Sequence, residues 1–224
     1  MHSGIFCVIF ALVLLFAAAS SAATPSGDPI KIGYLATLTG DGATWGQHER
    51  DGALLAVKEL NEAGGVLGRP LELVYYDVRG RQEDAIQAAR RLIHEDKVVA
   101  IGGTNYSGLN IAIASVVNSG EVPQIGTAST NPAVTVDPKT NTVRPYTFRL
   151  CYTDPYQGKV MADYLVNKLG VKSTAVITDI GSDYSEGLKE FFLARIEELG
   201  CEMKGVWGFR GGDVDFRAQL TEMK

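Results

Sequence analysis

From Ile30 onward, apolar runs of strand length alternate with segments whose apolar residues return every three or four positions. That rhythm predicts a βαβα chain, with a parallel sheet covered on both faces. Strands are expected over Ile30–Leu38, Leu71–Asp77 and Val98–Ile101. Between them, Ala53, Val57 and Leu60 mark the inner face of a helix that stops at Ala63-Gly64-Gly65. A second helix, Arg81–His94, turns Ala85, Ala89, Leu92 and Ile93 inward and keeps Gln82, Glu83, Asp84, Arg90 and Arg91 in water. A third carries Ile111, Ala114, Ser115 and Val117. The segment Val136–Pro145 is then rich in turn formers, and a loop that long is either functional or a crossing between domains. The crossing is placed in the extended segment Tyr146–Cys151, which divides the chain into units at 24–147 and 148–224.

The second unit repeats the rhythm. Asp154-Pro155 opens a helix with Met161, Leu165 and Leu169 inward, and Ser173–Thr178 is a buried type of strand. The loop Asp179–Gly187 leads to a helix with Leu188, Phe192, Ile196 and Leu199 on one face. Met203–Phe209 is another strand, and Asp215-Phe216 begins a last helix that reaches Lys224 without a stop signal, the pattern expected of a fragment.

The chain is organised around Ile101–Pro132, where two strand ends each deliver small hydroxyl and glycine residues. In an open α/β sheet, ligands bind outside the carboxyl ends of the strands, where helix N-termini present unpaired N–H groups. Tyr106, Ser107 and Gly108 form a candidate anion seat, and Ser129 and Thr130 offer carbonyls and a hydroxyl to a donor. That pair suits a small zwitterion, although the same residue types cap helices and make turns in any α/β protein. Trp45, Tyr106 and Tyr184 each follow a strand in an expected loop, and together they suggest a cleft with aromatic walls.

Composition narrows the picture. With 224 residues, net charge −5 and pI near 5.3, nothing basic points to nucleic acid. The apolar run Ile5–Ala19 is too short to span a bilayer, and the small residues after it suit signal peptidase, so residues 1–23 read as a secretory signal. Of three cysteines, Cys7 leaves with that leader, while Cys151 and Cys201 are either a pair or buried thiols. His48 and His94 lie far apart among charged neighbours and read as solvated, so no metal site is expected. A G-x-S-x-G turn and a complete nucleotide-binding glycine motif are both missing, which leaves no cofactor and no catalytic role to assign. Asp77 as a ribose-binding acid lacks its glycine fingerprint, and Asp213 and Asp215 read as helix-entry residues.

The order TGDGATWGQ, DGALLAVKELNEAGGVLGRPLELVYYD, IGGTNYSG, TASTNPAVT, FRLCYTDPYQG and TDIGSDYSEGLKEFF closely resembles the periplasmic binding proteins of ABC importers for branched-chain amino acids. The resemblance covers Ile30 to Lys224, with NEAGGVLGRPLELVYYD and the STNP turn its most specific pieces. It implies an α/β, type I periplasmic-binding fold of two doubly wound parallel-sheet lobes joined by a hinge, with the second lobe incomplete here. It also implies a monomeric protein that closes on an amino acid in the periplasm, presents it to a membrane permease and catalyses nothing. By position, Tyr106 and Ser107 fall where members hold the ligand's carboxylate, and Ser129 and Thr130 where they receive its ammonium. Trp45 matches the wall beside the ligand's side chain, Tyr184 the ring that descends at closure, and Asp154 a residue reaching the cleft from the hinge. The disulfide that several members carry in the first lobe has no counterpart, since neither Val78–Arg81 nor Asn105 supplies a cysteine. A ligand-sensing domain of a receptor on the same fold, and binders of short amides or aromatic acids, are the alternatives.

Overall fold

A computed structural model describes residues 24–223. The leader reading of residues 1–23 lies outside the described residues. The first unit is built on β1 (Ile30–Ala36), α1 (Ala43–Glu62), β2 (Leu71–Asp77), α2 (Gln82–Arg91), β3 (Ala100–Gly102), α3 (Ser107–Ser119) and β4 (Gln124–Gly126). A π-helical turn, Leu92–Asp96, extends α2 to the end of the expected helix. The stretch Val136–Pro145 is not plain loop, because β5 (Val136–Asp137) and β6 (Thr142–Val143) pair as a small hairpin. The extended segment Tyr146–Cys151 begins as β7 (Thr147–Arg149), which pairs with β4 as the last strand of the first sheet.

The five strands are parallel and ordered β2-β1-β3-β4-β7. The chain therefore winds outward from β1 to β2, then crosses back over β1 to β3. A crevice opens where the winding direction reverses, between the carboxyl ends of β1 and β3. The loops at that crevice carry Asp41 and Gly42 on one side and Thr104 to Tyr106 on the other.

The core behind the sheet joins Leu35, Val78, Ala85, Ala89, Leu92, Ile101, Ile113 and Val117. On α2, the expected inner residues Ala85, Ala89, Leu92 and Ile93 are all buried. On α3 the buried stripe is Leu109, Ile113, Ala114 and Val117, whereas the expected Ser115 is exposed and Ile111 only half-buried. On α1, which meets the sheet mainly through β2 and β1, the expected Leu60 is exposed.

In the second unit, α4 (Asp154–Asp163) passes into a π-helical turn over Tyr164–Lys168, followed by β8 (Ser173–Asp179), α5 (Asp183–Glu198), β9 (Glu202–Phe209) and α6 (Arg217–Glu222). β8 and β9 pair in parallel, repeating the β1–β2 unit. Here the inner face of α4 is Asp154, Gly158 and Ala162, not Met161 and Leu169, which are exposed. The cause is Gly158, whose missing side chain lets the backbone of Phe191 and Phe192 on α5 come close. α6 starts at Arg217, two residues later than expected, because Asp215 accepts from the Arg217 amide ahead of the helix. Cys151 and Cys201 are free thiols, the latter packed among Ala162, Phe192 and Ile196.

The units touch through the start of α5. Asn131 Nδ2 donates to the Asp183 carbonyl at 2.6 Å, and Gly187 lies against Asp154 and Asn131. A Cβ at Gly187 would come within 2.5 Å of Asp154 Oδ2 and 2.6 Å of Asn131 Nδ2. Gly187→Ala is thus expected to cost about 1–3 kcal/mol through overpacking, measured as a lowered denaturant midpoint. Ile113→Ala, in the fully buried core of the first unit, is expected to cost about 2–5 kcal/mol in the same measurement.

Candidate functional site

The crevice is framed from both strand ends. At β3, the chain turns through Gly103–Tyr106 into α3, and a polar network behind the turn fixes it. Asn110 Nδ2 donates to the Thr104 carbonyl at 2.7 Å, its Oδ1 accepts from the Thr104 amide, and the side chain of buried Gln124 donates to the same Oδ1. The Tyr106 amide donates to Thr104 Oγ1 at 3.2 Å. No side chain caps α3, so its first-turn amides remain open donors at the positive end of the helix dipole. These are the requirements of an anion seat. Tyr106 itself folds over Gly42, which has φ +80° and no Cβ; a Cβ there would overlap the Tyr106 hydroxyl.

Asp77 has a different task from ribose binding. Its carboxylate accepts from the amides of Leu38 and Arg79 at 2.8 and 2.9 Å, and from the Thr39 hydroxyl. Burial alone would raise its pKa, and these hydrogen bonds outweigh it and hold the group below the usual carboxylate value. It is a clasp on the loop that follows β1.

At β4, the turn carries Thr127 to Asn131 into a 3₁₀ turn, Pro132–Val134. Ser129 and Thr130 are buried, and neither hydroxyl has a hydrogen-bond partner. Beside Thr130 is Asp154 at the start of α4, fully buried, with no hydrogen bond on either carboxylate oxygen, whereas the Ser129 hydroxyl lies over Gly126. The Asp154 amide donates to the Thr130 carbonyl at 3.0 Å, which ties the two segments together. Burial pushes the Asp154 carboxyl above its ordinary pKa, against the opposing pull of the neighbouring Thr130 hydroxyl and the Arg149 guanidinium. A cluster of acceptors this dry, with one uncompensated charge, is arranged to meet a cation.

A second, half-buried carboxyl lies near the strand ends. Glu49 on α1 accepts from the Thr127 hydroxyl, and its other oxygen is buried and unpartnered. Burial raises the Glu49 pKa, opposed by Thr127 and the Asn105 amide, and the Glu49 charge adds to the burial that raises Tyr34.

Between the units opens a cavity of about 510 Å³, lined among others by Asp41, Tyr106, Ser107, Asp183, Tyr184 and Arg210. Of the sequence-predicted residues, Tyr106, Ser107 and Tyr184 share this wall, and Tyr184 accepts from Gln157 Nε2 at 2.9 Å. Ser129, Thr130 and Asp154 form the buried cluster beside it. Ser107 links the two groups, its hydroxyl accepting from the Asn131 amide at 3.3 Å. Trp45 joins neither group. It stands in the first turn of α1 with 69% of its surface exposed, not in the expected loop. Tyr184 likewise belongs to the first turn of α5, because Ser182 caps that helix by accepting from the Ser185 amide and ends the loop early.

Sequence reasoning missed Asn110, Gln124, Glu49 and Arg149. A signal existed for the first two, since each is a polar residue at a position where the local apolar pattern demands burial. His48 and His94 are exposed, as expected.

The chain matches the model of the periplasmic binding protein family over residues 29–224. Among curated relatives, an amino acid binding protein of Pseudomonas aeruginosa is 33% identical over 195 residues, covering 87% of this chain and 50% of that one. A leucine-binding protein from Thermotoga maritima superposes with a TM-score of 0.77 at 39% identity, covering 86% of this chain and 52% of its own. The branched-chain amino acid transporter substrate-binding protein of Streptococcus pneumoniae, solved with isoleucine, gives 0.78 at 33% identity, with 88% and 54% covered. The chain spans about half the length of the curated relatives it matches. With a family match over most of its length and the parallel α/β architecture of these structures, the chain belongs to the periplasmic binding protein family.

Proposed function

We propose that this chain binds a small amino acid with an aliphatic side chain at the crevice between its two units, as the substrate-binding component of an ABC importer. The observation that carries the reading is the pairing of a buried, unpartnered acceptor cluster with an uncapped helix N-terminus. An α-amino acid carries its cation and its anion on the same carbon, and the two seats are joined through Ser107 and Asn131. In this reading the open amides of α3, with Tyr106 and Ser107, take the carboxylate, while Thr130, Ser129 and Asp154 take the ammonium. Tyr184 covers the ligand, and the exposed indole of Trp45 supplies apolar surface for the side chain on closure. The relatives are amino-acid-binding proteins by name, which supports the same class.

The first unit, whose sheet ends with β7, and the second, which begins after it, act as the lobes, and the protein works in the periplasm as a monomer that docks on a membrane permease. Binding and release, without chemical conversion, are its whole cycle. The seats hold no nucleophile poised beside a base, and none of this requires a cofactor.

A thermal-melt screen tests the reading. L-Leucine at about a hundred times its dissociation constant is expected to add about 2.7 kcal/mol to stability and raise the melting temperature; no shift with leucine, isoleucine or valine would oppose it. Thr130→Val is expected to weaken leucine binding by about 1–3 kcal/mol, read by calorimetric titration, because a buried ammonium loses a partner.

Asp154 gives a pH test without ligand. Burial raises its folded-state pKa above the unfolded value, so ionisation works against the fold. The penalty is absent below the ordinary carboxylate range and develops as pH rises through the raised value. Asp154→Asn is therefore expected to melt with the wild type near pH 3 and above it at neutral pH, while losing leucine affinity, as followed by calorimetry from about pH 3 to 7.

A further inference from the structure

The turn that carries Ser129 and Thr130 belongs to no sheet, and backbone pairing alone gives it few restraints. Its neighbour Arg149, the last residue of β7, supplies the rest. One guanidinium nitrogen donates to the carbonyls of Ser129 at 3.0 Å and Asn131 at 2.8 Å; the other donates to the Pro132 carbonyl at 3.3 Å and to Thr135 Oγ1 at 2.6 Å. Four acceptors from one turn are thus gathered on one planar fork. Only arginine has that geometry, since a lysine ammonium offers three donors from a single point.

The same contacts anchor the carbonyls at the seat. The Ser129 carbonyl, implied by the family resemblance as an ammonium acceptor, already accepts from a cation, and the Thr130 carbonyl accepts from the Asp154 amide. The two hydroxyls and the Asp154 carboxylate have no hydrogen-bond partner at all. We propose that Arg149 is the positioning residue of the cation seat: it fixes the 129–135 turn so that the Thr130 hydroxyl faces Asp154. Its consequence for binding rests on the amino-acid reading above; its hold on the turn does not.

The test compares the full chain with Arg149→Met and Arg149→Lys by amide hydrogen exchange and by titration with L-leucine. The amides of Ala133, Val134 and Thr135, which close this turn on Asn131 and Pro132, report its order. In Arg149→Met they are expected to exchange at least about tenfold faster relative to amides of β1 and α2, with Arg149→Lys in between. Leucine affinity is expected to fall at least about tenfold in the Met variant and to be partly restored by Lys. Should the Met variant fail to fold, the Lys variant, which keeps the charge and loses the fork, carries both measurements.

Exchange that is unchanged, or that rises equally throughout the chain, would overturn the proposal by making Arg149 a contributor to global stability alone. A loosened turn with unchanged leucine affinity would overturn its role in the seat. If the wild type takes up no leucine, the amino-acid reading fails, and the exchange comparison by itself decides whether Arg149 holds the turn.

Discussion

A carboxylate removed from water must be met by hydrogen bonds or an opposite charge, or else pay in stability. Asp154 is fully buried with no hydrogen bond on either carboxylate oxygen, and the neighbouring Thr130 hydroxyl and Arg149 guanidinium offset its burial only in part. Its backbone is pinned by the Thr130 carbonyl, and Gly187 of α5 closes over it because a larger residue would strike it. The Arg149 guanidinium lies near enough to lower its pKa while spending its hydrogen bonds on the turn. Uncompensated buried charges of this kind concentrate at functional sites, where a ligand supplies what the fold withholds.

The sheet decides where that constraint can act. Reversal of winding between β1 and β3 opens one crevice, and every loop that borders it is fixed by its own polar clasp. Asp77 holds the loop after β1, Asn110 and Gln124 hold the turn after β3, and Arg149 holds the turn after β4. Glu49 reaches from α1 to Thr127 and brings a half-buried carboxyl to the same strand ends. On the side of the first unit the site is thus held by side-chain hydrogen bonds to its loops. Its partner side is the start of α5, attached through Asn131 and Gly187.

Much of this was legible in the sequence. β2 ran from Leu71 to Asp77 as read, and the α2 stripe was buried in full, because a long apolar period on a helix covered by its sheet leaves little ambiguity. The failures are equally physical. Met161 and Leu169 were expected inside, but Gly158 brings the opposite face of α4 against α5, a close approach that hydrophobicity does not encode. Leu60 faces water, although its neighbour Asn61 is hydrogen-bonded to Leu71 at the start of β2. Trp45 and Tyr184 were placed in loops, and both lie in first helical turns, where glycine and serine make a helix start look like coil. Six of the seven expected site residues gather around the crevice; Arg149 escaped notice because the four acceptors that give it a role converge only when the turn folds.

The central claim is that the ligand must carry a positive charge into the Asp154 cluster. Calorimetric titration with L-leucine and with 4-methylpentanoate, which is leucine without its amine, tests it most directly. The account predicts that leucine binds and that the deaminated acid binds at least about thirtyfold more weakly, the cost of leaving a buried charge unpaired. Equal affinity for the two would contradict it.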